Sequence, residues 1–317
     1  STHGDFLFKA ASQTFTNNGT VTVGNDFQFE SSDGTFTNNG SLTISNDLNA
    51  TGASSNSIIN NAASSDITVT GGIDLNNEQL RINNYGDFDL DGDYSNVDAG
   101  EGLIYNYAGS TFEFAATTAS DGDVYLYANY ATNLFEYNAS ADQNILTPQD
   151  NYYNITLSES GTKATTGNLN IDGSLIISGT ANLDVATGTD DINLAGDWTN
   201  SGTFDEGAQT VTFDGTADQT ITNTSGETFR NLTVNKASGD VILNTSSSTS
   251  ITIETLGFLT LTSGIIETTS SELITIQNNA GMLGGNATSF IDGPLRKEGT
   301  NDFTYQVGDQ GKWAPVG

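Results

Sequence analysis

The sequence predicts an all-β protein that folds as a parallel β-helix, a β-solenoid in which successive coils of the chain stack on one another. First, TFTNNGTVTVGNDF at residues 14–27 returns as TFTNNGSLTISNDL at residues 35–48, a repeat of 21 residues. Second, short apolar runs alternate with polar residues, as in strands that have one buried face. Third, the chain has 35 glycines and only 3 prolines, a composition typical of many short strands joined by tight turns.

One strand recurs in the same phase of each coil through the first third of the chain. Its first and third residues are polar and its second and fourth are apolar, so the apolar pair faces the core. The strand lies at residues 20–23, 41–44, 66–69, 87–90 and 111–114. Steps of about 21–25 residues indicate coils that bury their apolar residues only by stacking. The Asn-Asn-Gly sequence before the first two strands predicts corners with positive φ.

A longer repeat lies downstream and organises the rest of the chain. ADQNI at residues 141–145 returns as ADQTI at residues 217–221, and NITL at residues 154–157 returns as NLTV at residues 231–234. We therefore predict four segments. They are N-terminal coils at residues 1–124, a junction rich in Tyr and Asn at 125–150, duplicated coils at 151–288, and the start of a small C-terminal β module at 289–317.

Several of these motifs resemble the repeats of large surface proteins of Bacteroidota. The resemblance is carried by FDGTADQTI at residues 213–221, FRNLTV at 229–234, SFIDGPL at 289–295 and FTYQVGD at 303–309. It covers residues 142–317 and implies export by the type IX secretion system, display at the cell surface and no particular catalytic residues. Some proteins of this kind resemble gliding adhesins. Their C-terminal sorting domain has no counterpart here, so we expect the chain to be a fragment of a longer protein.

The charge of the chain excludes some classes of partner. The sequence has 39 acidic and 8 basic residues and a formal net charge of −31. This charge repels nucleic acid and anionic membrane surfaces, so we expect neither as a partner. The chain has no cysteine, which excludes disulfides and thiolate metal sites. Because no long apolar stretch is present, we expect no membrane insertion.

Catalytic groups are sparse, so we expect no enzyme. Polysaccharide-cleaving β-helices place several acids, or acids with Lys or Arg, in one groove. Here 3 arginines and 5 lysines are scattered along the chain, and the only histidine is His3. The adjacent acids Asp190 and Asp191 follow Thr-Gly-Thr, which is typical of a turn between coils. An ice-binding surface is also disfavoured, because the outward threonines give way to Asp by the third coil.

One acidic stretch has the spacing of a calcium loop. Residues 87–98 carry acids at positions 1, 3, 5 and 12 and glycine at position 6. Residues 87–90 also keep the alternation of a strand, and no helix flanks them, which argues against an EF-hand. The alternative to an EF-hand is a looser surface site formed by Asp89, Asp91 and Asp93, with calcium as its candidate ion. The reason is that outward carboxylates of neighbouring coils stack close together.

A tyrosine cluster allows two interpretations. It consists of Tyr105, Tyr107, Tyr125, Tyr127, Tyr130 and Tyr137, with Tyr152 and Tyr153 just beyond. In the first interpretation, which we favour, large side chains fill a change in coil shape. In the second, exposed rings stack on sugars, and Tyr125, Tyr127 and Tyr130 are the candidate ligand-binding residues.

These observations favour a non-catalytic structural role over a binding role. We expect a rigid, extended segment of a secreted or cell-surface protein, either a stalk or an adhesin-like filament component. The expected partners are other extracellular or surface subunits, including further copies of the chain, because open β-helix ends can template the next strand. The alternative is a glycan-binding adhesin module assisted by calcium.

Overall fold

A computed structural model describes residues 4–31, 33–51, 56–76, 78–95, 102–119, 122, 124–186, 188–223, 225–244 and 249–317. Stacked parallel strands form a β-solenoid, and the described residues contain no helix, so the predicted fold class is confirmed. His3 and Asp98 lie outside the described residues. The chain divides into two compact units, Ser1–Thr166 and Gly167–Gly317.

The first unit contains three parallel sheets. Its strands are β1 Phe6–Phe8, β2 Thr14–Asn17, β3 Thr20–Val23, β4 Phe27–Phe29, β5 Thr35–Asn38, β6 Ser41–Ile44, β7 Leu48–Ala50, β8 Asn56–Asn61, β9 Asp66–Val69, β10 Ile73–Asp74, β11 Gln79–Asn84, β12 Asp87–Leu90, β13 Tyr94–Ser95, β14 Gly102–Asn106, β15 Thr111–Phe114, β16 Val124–Tyr127, β17 Leu134–Tyr137, β18 Gln143–Ile145, β19 Asn154–Leu157 and β20 Thr162–Thr165. Sheet I has the order β1-β4-β7-β10-β13, and sheet II has the order β2-β5-β8-β11-β14-β16. Sheet III has the order β3-β6-β9-β12-β15-β17-β19, and β18 pairs with β20. Each of the first five coils therefore gives one strand to each sheet.

The apolar columns predicted for sheet III are correct in register. Leu42 pairs with Val21 on one side and with Ile67 on the other. The column continues through Phe88 and Phe112, whose rings stack with centroids 4.7 Å apart. Apart from the first member, which is half-buried, these side chains are at most 1% exposed. Stacking thus buries what one coil cannot bury alone.

A buried asparagine ladder runs through sheet II and was not predicted. Its members are Asn17, Asn38, Asn61, Asn84 and Asn106, which are 0–4% exposed. Each of the first four donates its side-chain N–H to the side-chain oxygen of the next, over 2.8–2.9 Å. Each of these four also donates to a backbone carbonyl at the start of the next sheet III strand. The ladder satisfies buried polar groups at one corner of each of the first five coils.

The corners differ from the sequence prediction in their backbone geometry. Neither Gly19 nor Gly40 adopts a left-handed φ, so the expected positive φ at Asn-Asn-Gly is wrong. Glycine is needed at the second corner because coils approach closely there. A Cβ on Gly40 would lie 2.0 Å from the carbonyl oxygen of Gly19, which no side chain can occupy. The first asparagine of each Asn-Asn-Gly, Asn17 or Asn38, supplies the ladder.

The segment predicted to be a junction, residues 125–150, lies inside the first unit. There β16 pairs with β14, and β17 continues sheet III between β15 and β19. The stack therefore continues through this segment, and the boundary between the two units falls after Thr166.

The second unit is built from two long parallel sheets. Its strands are β21 Leu169–Ile171, β22 Leu175–Ile177, β23 Asn182–Asp184, β24 Ile192–Leu194, β25 Trp198–Asn200, β26 Thr203–Asp205, β27 Thr210–Phe213, β28 Gln219–Thr222, β29 Glu227–Asn235, β30 Val241–Leu243, β31 Ile251–Ser263, β32 Ile266–Glu267, β33 Ile274–Ile276, β34 Gly281–Gly284, β35 Ile291–Asp292, β36 Leu295–Lys297, β37 Val307–Asp309 and β38 Lys312–Trp313. Sheet IV has the order β21-β24-β27-β29-β31-β33-β36, with β34 also paired to β31. Sheet V has the order β22-β25-β28-β30-β32-β35-β37-β38, and β23 pairs with β26. The pair β37–β38 is antiparallel, whereas the coils before it are parallel.

Candidate functional site

The outer face of sheet II carries most of the predicted tyrosine cluster. In β14 the alternation buries Ile104 and Asn106 and turns Tyr105 outward. Tyr105 is in register with Tyr127 of β16, and Leu103 is in register with Tyr125. Six residues form the tyrosine surface: Tyr85, Tyr105, Tyr107, Tyr125, Tyr127 and Tyr130. The structure therefore brings the three predicted ligand-binding tyrosines onto one surface.

Most of these rings stack on one another along the direction in which the coils stack. The Tyr85 and Tyr107 rings are 4.2 Å apart between centroids and 1° from parallel. The Tyr105 and Tyr127 rings are 4.4 Å apart and 3° from parallel. Tyr130 packs against Tyr107 at 4.8 Å and 46°. Neighbouring coils thus present matching phenol rings at van der Waals separation.

Arg81 closes one end of this stack. Its guanidinium carbon lies 4.4 Å from the centroid of the Tyr105 ring, in cation–π geometry. Its Nε donates to the side-chain oxygen of Asn83 over 2.8 Å, and Asn83 donates to Asn60 over 2.8 Å. Burial raises the pKa of Tyr105, Tyr127 adds to the rise, and the Arg81 charge opposes it. The Tyr105 hydroxyl is therefore a neutral hydrogen-bonding group at physiological pH.

Stacking decides what the tyrosine surface can offer a ligand. Both faces of Tyr107 are covered, by Tyr85 and Tyr130, and both faces of Tyr105 are covered, by Arg81 and Tyr127. These inner rings cannot take a sugar face to face. The most exposed members are Tyr85 at 43% and Tyr125 at 37%. A ligand would meet ring edges, hydroxyls and the outermost rings.

Two other tyrosines of the cluster fill the core, as the favoured interpretation expects. Tyr137 and Tyr152 are fully buried, and their hydroxyls lie 2.6 Å apart. The Tyr137 hydroxyl accepts from the backbone N–H of Leu146 over 2.9 Å, and the Tyr152 hydroxyl donates to the Leu146 carbonyl over 2.7 Å. The cluster is thus divided between a buried pair and an outer surface.

The acidic residues proposed for calcium lie on and after β12. Asp89 faces outward in register with Glu113, which is in register with Glu136. Burial raises the pKa of Asp89, and Asp91 adds to the rise. Burial also raises the pKa of Glu113, with Asp89 the largest of the neighbouring charges. Folding therefore favours protonation of Asp89 and Glu113.

The three proposed calcium ligands have different surroundings. The Oδ1 atom of Asp89 is shielded from solvent and accepts no hydrogen bond. Asp91 is exposed, and Asp93 accepts from the N–H and hydroxyl of Thr117 over 2.8 and 2.9 Å. In the part of the chain that the structure describes, no three His, Cys, Asp or Glu side chains form a group able to hold a metal. A calcium site here stays a prediction.

Two buried lysines underlie the long sequence repeat. Lys163 Nζ donates to the Ala139 carbonyl over 2.6 Å and to Gln143 Oε1 over 2.7 Å. Lys236 Nζ donates in the same way to the Gly215 carbonyl over 3.0 Å and to Gln219 Oε1 over 2.7 Å. Burial lowers the pKa of Lys163 to about 8 and lowers that of Lys236.

These lysine–glutamine pairs explain why the ADQ sequences recur. The Nε2 atoms of Gln143 and Gln219 each donate to two carbonyls of the preceding coil. Each lysine–glutamine pair therefore joins three levels of the stack. The recurrence of Gln was visible in the sequence, but its bond to a lysine on the next coil was not.

A buried carboxylate lies in the second unit. Glu227 Oε2 accepts from Trp198 Nε1 over 2.7 Å, from Asn200 over 3.0 Å and from Asn223 over 3.2 Å. Burial raises the pKa of Glu227, and these three hydrogen bonds oppose the rise. The side chain is 5% exposed, so it holds the core together and is closed to a substrate.

Comparison with known proteins gives no relative: the chain matches no family model, no curated protein and no solved structure. A search of the described residues for a helix long and apolar enough to cross a membrane finds none.

Proposed function

We propose that the chain is a non-catalytic structural segment of a secreted or cell-surface protein, a part of a stalk or filament. The observation that carries the proposal is the asparagine ladder. It joins successive coils of the first unit through hydrogen bonds that are the same at each step. Such a ladder repeats one set of interactions along the stack, which suits an element whose task is to span distance.

The surface location is part of the same proposal. It is supported by the sequence resemblance to surface proteins of Bacteroidota and by the net charge of −31, which favours solubility at high local concentration. We propose that type IX secretion exports the parent protein and that its partners are other surface subunits, including copies of itself. Localisation of an epitope-tagged parent protein on intact cells tests this part.

Removal of one whole coil tests the structural role. Deletion of residues 42–66 joins Ser41 to Ile67, which is the register partner of Leu42, so each sheet loses one strand without a register shift. We expect the shortened chain to fold. We also expect the longer parent protein to keep its function when it carries the same deletion. A control deletion of residues 42–55 removes only part of a coil and should prevent folding of the first unit. If the shortened chain folds but the longer parent protein that carries the deletion loses its function, that function depends on the deleted coil. This result would contradict a spacer role.

A second candidate function, glycan binding by an adhesin, is supported by the tyrosine surface. Tyr125 stacks on no other described ring and is 37% exposed, so part of its ring is accessible to a sugar. We expect Tyr125→Ala and Tyr127→Ala to abolish any glycan-array signal that depends on this surface. Tyr153→Ala, which removes a half-buried tyrosine outside the surface, is the matched control. A signal that survives both substitutions excludes the tyrosine surface as the glycan site.

A further inference from the structure

A concave cleft opens on the second unit, away from every residue discussed so far as a site. Its volume is about 400 Å³. It is lined by Phe258, residues 279–282, Lys297, residues 301–304 and Gln306. This volume is within the range of small-molecule sites, roughly 300–1,000 Å³.

One wall of the cleft is an aromatic ring held on an irregular strand. Phe258 is 42% exposed on β31 and is in register with Gly281 of β34. A Cβ on Gly281 would come within 3.1 Å of the Phe258 ring, so glycine keeps the space beside the ring open. The N–H of Phe258 donates to the side-chain oxygen of Asn231 over 3.2 Å, which fixes its backbone.

A bulge just before Phe258 is a second, independent observation. The register of β29 and β31 shifts between Phe229 and Asn231, because β31 carries extra residues there. Within the bulge Leu256 has φ 68° and is 60% exposed. A branched side chain at positive φ is strained, and such strain and bulges concentrate where a chain is shaped for binding.

The opposite wall combines a second ring with a lysine that already donates to two backbone carbonyls. Lys297 Nζ lies 5.5 Å from the centroid of the Phe303 ring. It donates to the backbone carbonyls of Gln277 over 2.8 Å and Glu298 over 2.6 Å. Two of its three N–H donors are therefore engaged.

The remaining lining groups are neutral amides, a hydroxyl and one carboxylate. Asn301 donates to Asn279 over 2.9 Å, and Gln306 accepts from Trp313 over 3.2 Å. Each of these amides keeps donor or acceptor capacity beyond that bond. Asp302 and Thr304 add a carboxylate and a hydroxyl to the lining. The cleft thus offers mixed donors and acceptors beside two aromatic rings.

We propose that this cleft binds a neutral saccharide, of one or two sugar rings. The C–H face of a sugar packs on Phe258, and its hydroxyls exchange hydrogen bonds with Asp302 and the amides. Acidic sugars are disfavoured by Asp302 and by the net charge of −31. The proposal is independent of the structural role, because a stalk segment can carry such a site or lack it.

The test uses saturation-transfer NMR on the full 317-residue chain with D-glucose, D-galactose, D-mannose, L-fucose and N-acetyl-D-glucosamine, and with D-glucuronate for comparison. We expect at least one neutral sugar to bind. Phe258→Ala and Asp302→Ala should each weaken that binding about 10-fold, the effect of one lost interaction of roughly 1.4 kcal/mol. Leu283→Ala, which removes an exposed apolar side chain outside the lining, should leave binding unchanged.

Three results would overturn the proposal: no saturation of any sugar, preference for D-glucuronate, or binding that Phe258→Ala and Asp302→Ala do not affect. Loss of binding with Tyr125→Ala, while Phe258→Ala binds normally, would move the saccharide site to the tyrosine surface. None of these results bears on the whole-coil deletion, so failure of the cleft and failure of the structural role are separable.

Discussion

Replacement of Asn61 by alanine is the most direct test of the asparagine ladder. Asn61 is fully buried in the middle of the ladder. Its amide nitrogen lies 2.9 Å from Asn84 Oδ1, 2.8 Å from the Asp87 carbonyl and 3.1 Å from the Ser65 carbonyl. Its oxygen accepts from Asn38 over 2.9 Å. Asn61→Ala removes all of these contacts and puts nothing in their place.

The expected cost follows from the number of hydrogen bonds lost. The two amide protons and the oxygen of Asn61 make at least three buried hydrogen bonds, each with a net value of about 1 kcal/mol. We therefore expect the free energy of unfolding of the first unit to fall by about 3 kcal/mol. Asn61→Asp keeps the shape but loses both donated protons and buries a charge, so it should cost at least as much at neutral pH.

The neighbouring residue provides the control. Asn60 lies on the same strand but faces outward, is half-exposed and accepts a single side-chain hydrogen bond from Asn83. Asn60→Ala should cost less than about 1 kcal/mol. Urea unfolding of both variants, with amide hydrogen exchange at β8 and β11, measures the difference. Equal costs for Asn60→Ala and Asn61→Ala would refute the claim that the ladder stabilises the stack.

Two further predictions concern the corners and the acidic column. Gly40→Ala should destabilise the first unit by about 1–3 kcal/mol, because its Cβ collides with the chain of the coil below. Gly19→Ala, in the same Asn-Asn-Gly sequence but with nothing within 4 Å of the new Cβ, should be nearly neutral; equal thermal midpoints would contradict this contrast. Glu113→Gln should raise the free energy of unfolding at pH 7, because burial and Asp89 raise the pKa of this carboxyl in the folded state. Folding then favours the protonated acid, so the advantage of the amide should disappear below the ordinary pKa of 4.5. A Glu113→Gln advantage that persists unchanged at low pH would exclude this cause.

Much of the fold could be predicted because the apolar columns of sheet III are readable from alternation alone. Leu42 and Ile67 pair as their phase in the repeat requires. The asparagine ladder was not predicted because Asn-Asn-Gly is also a common turn sequence, and a turn accounts for these asparagines without a buried column. The recurrence of Asn at 17, 38, 61, 84 and 106, always a few residues before the same apolar strand, was the sign of a buried column.

The candidate sites were less predictable, because they depend on which side chains meet across coils. Period-two alternation places Tyr105 and Tyr127 on one face, but only the pairing of β14 with β16 brings their rings together. The cleft beside Phe258 depends on a bulge in β31 and on the approach of residues 279–282 and 301–304 from further along the chain. Neither the ring contact between Tyr105 and Tyr127 nor the cleft has a periodic signature in the sequence.

The direction of the interactions between coils has a mechanical consequence. In the first unit the asparagine bonds, the stacked rings and the backbone hydrogen bonds of all three sheets point from one coil to the next. A pulling force along that direction is carried by the coils in series, so the weakest coil sets the force at which the unit yields. A force along the strands is shared among neighbouring coils instead. The unit should therefore unwind coil by coil under axial tension and resist bending loads collectively.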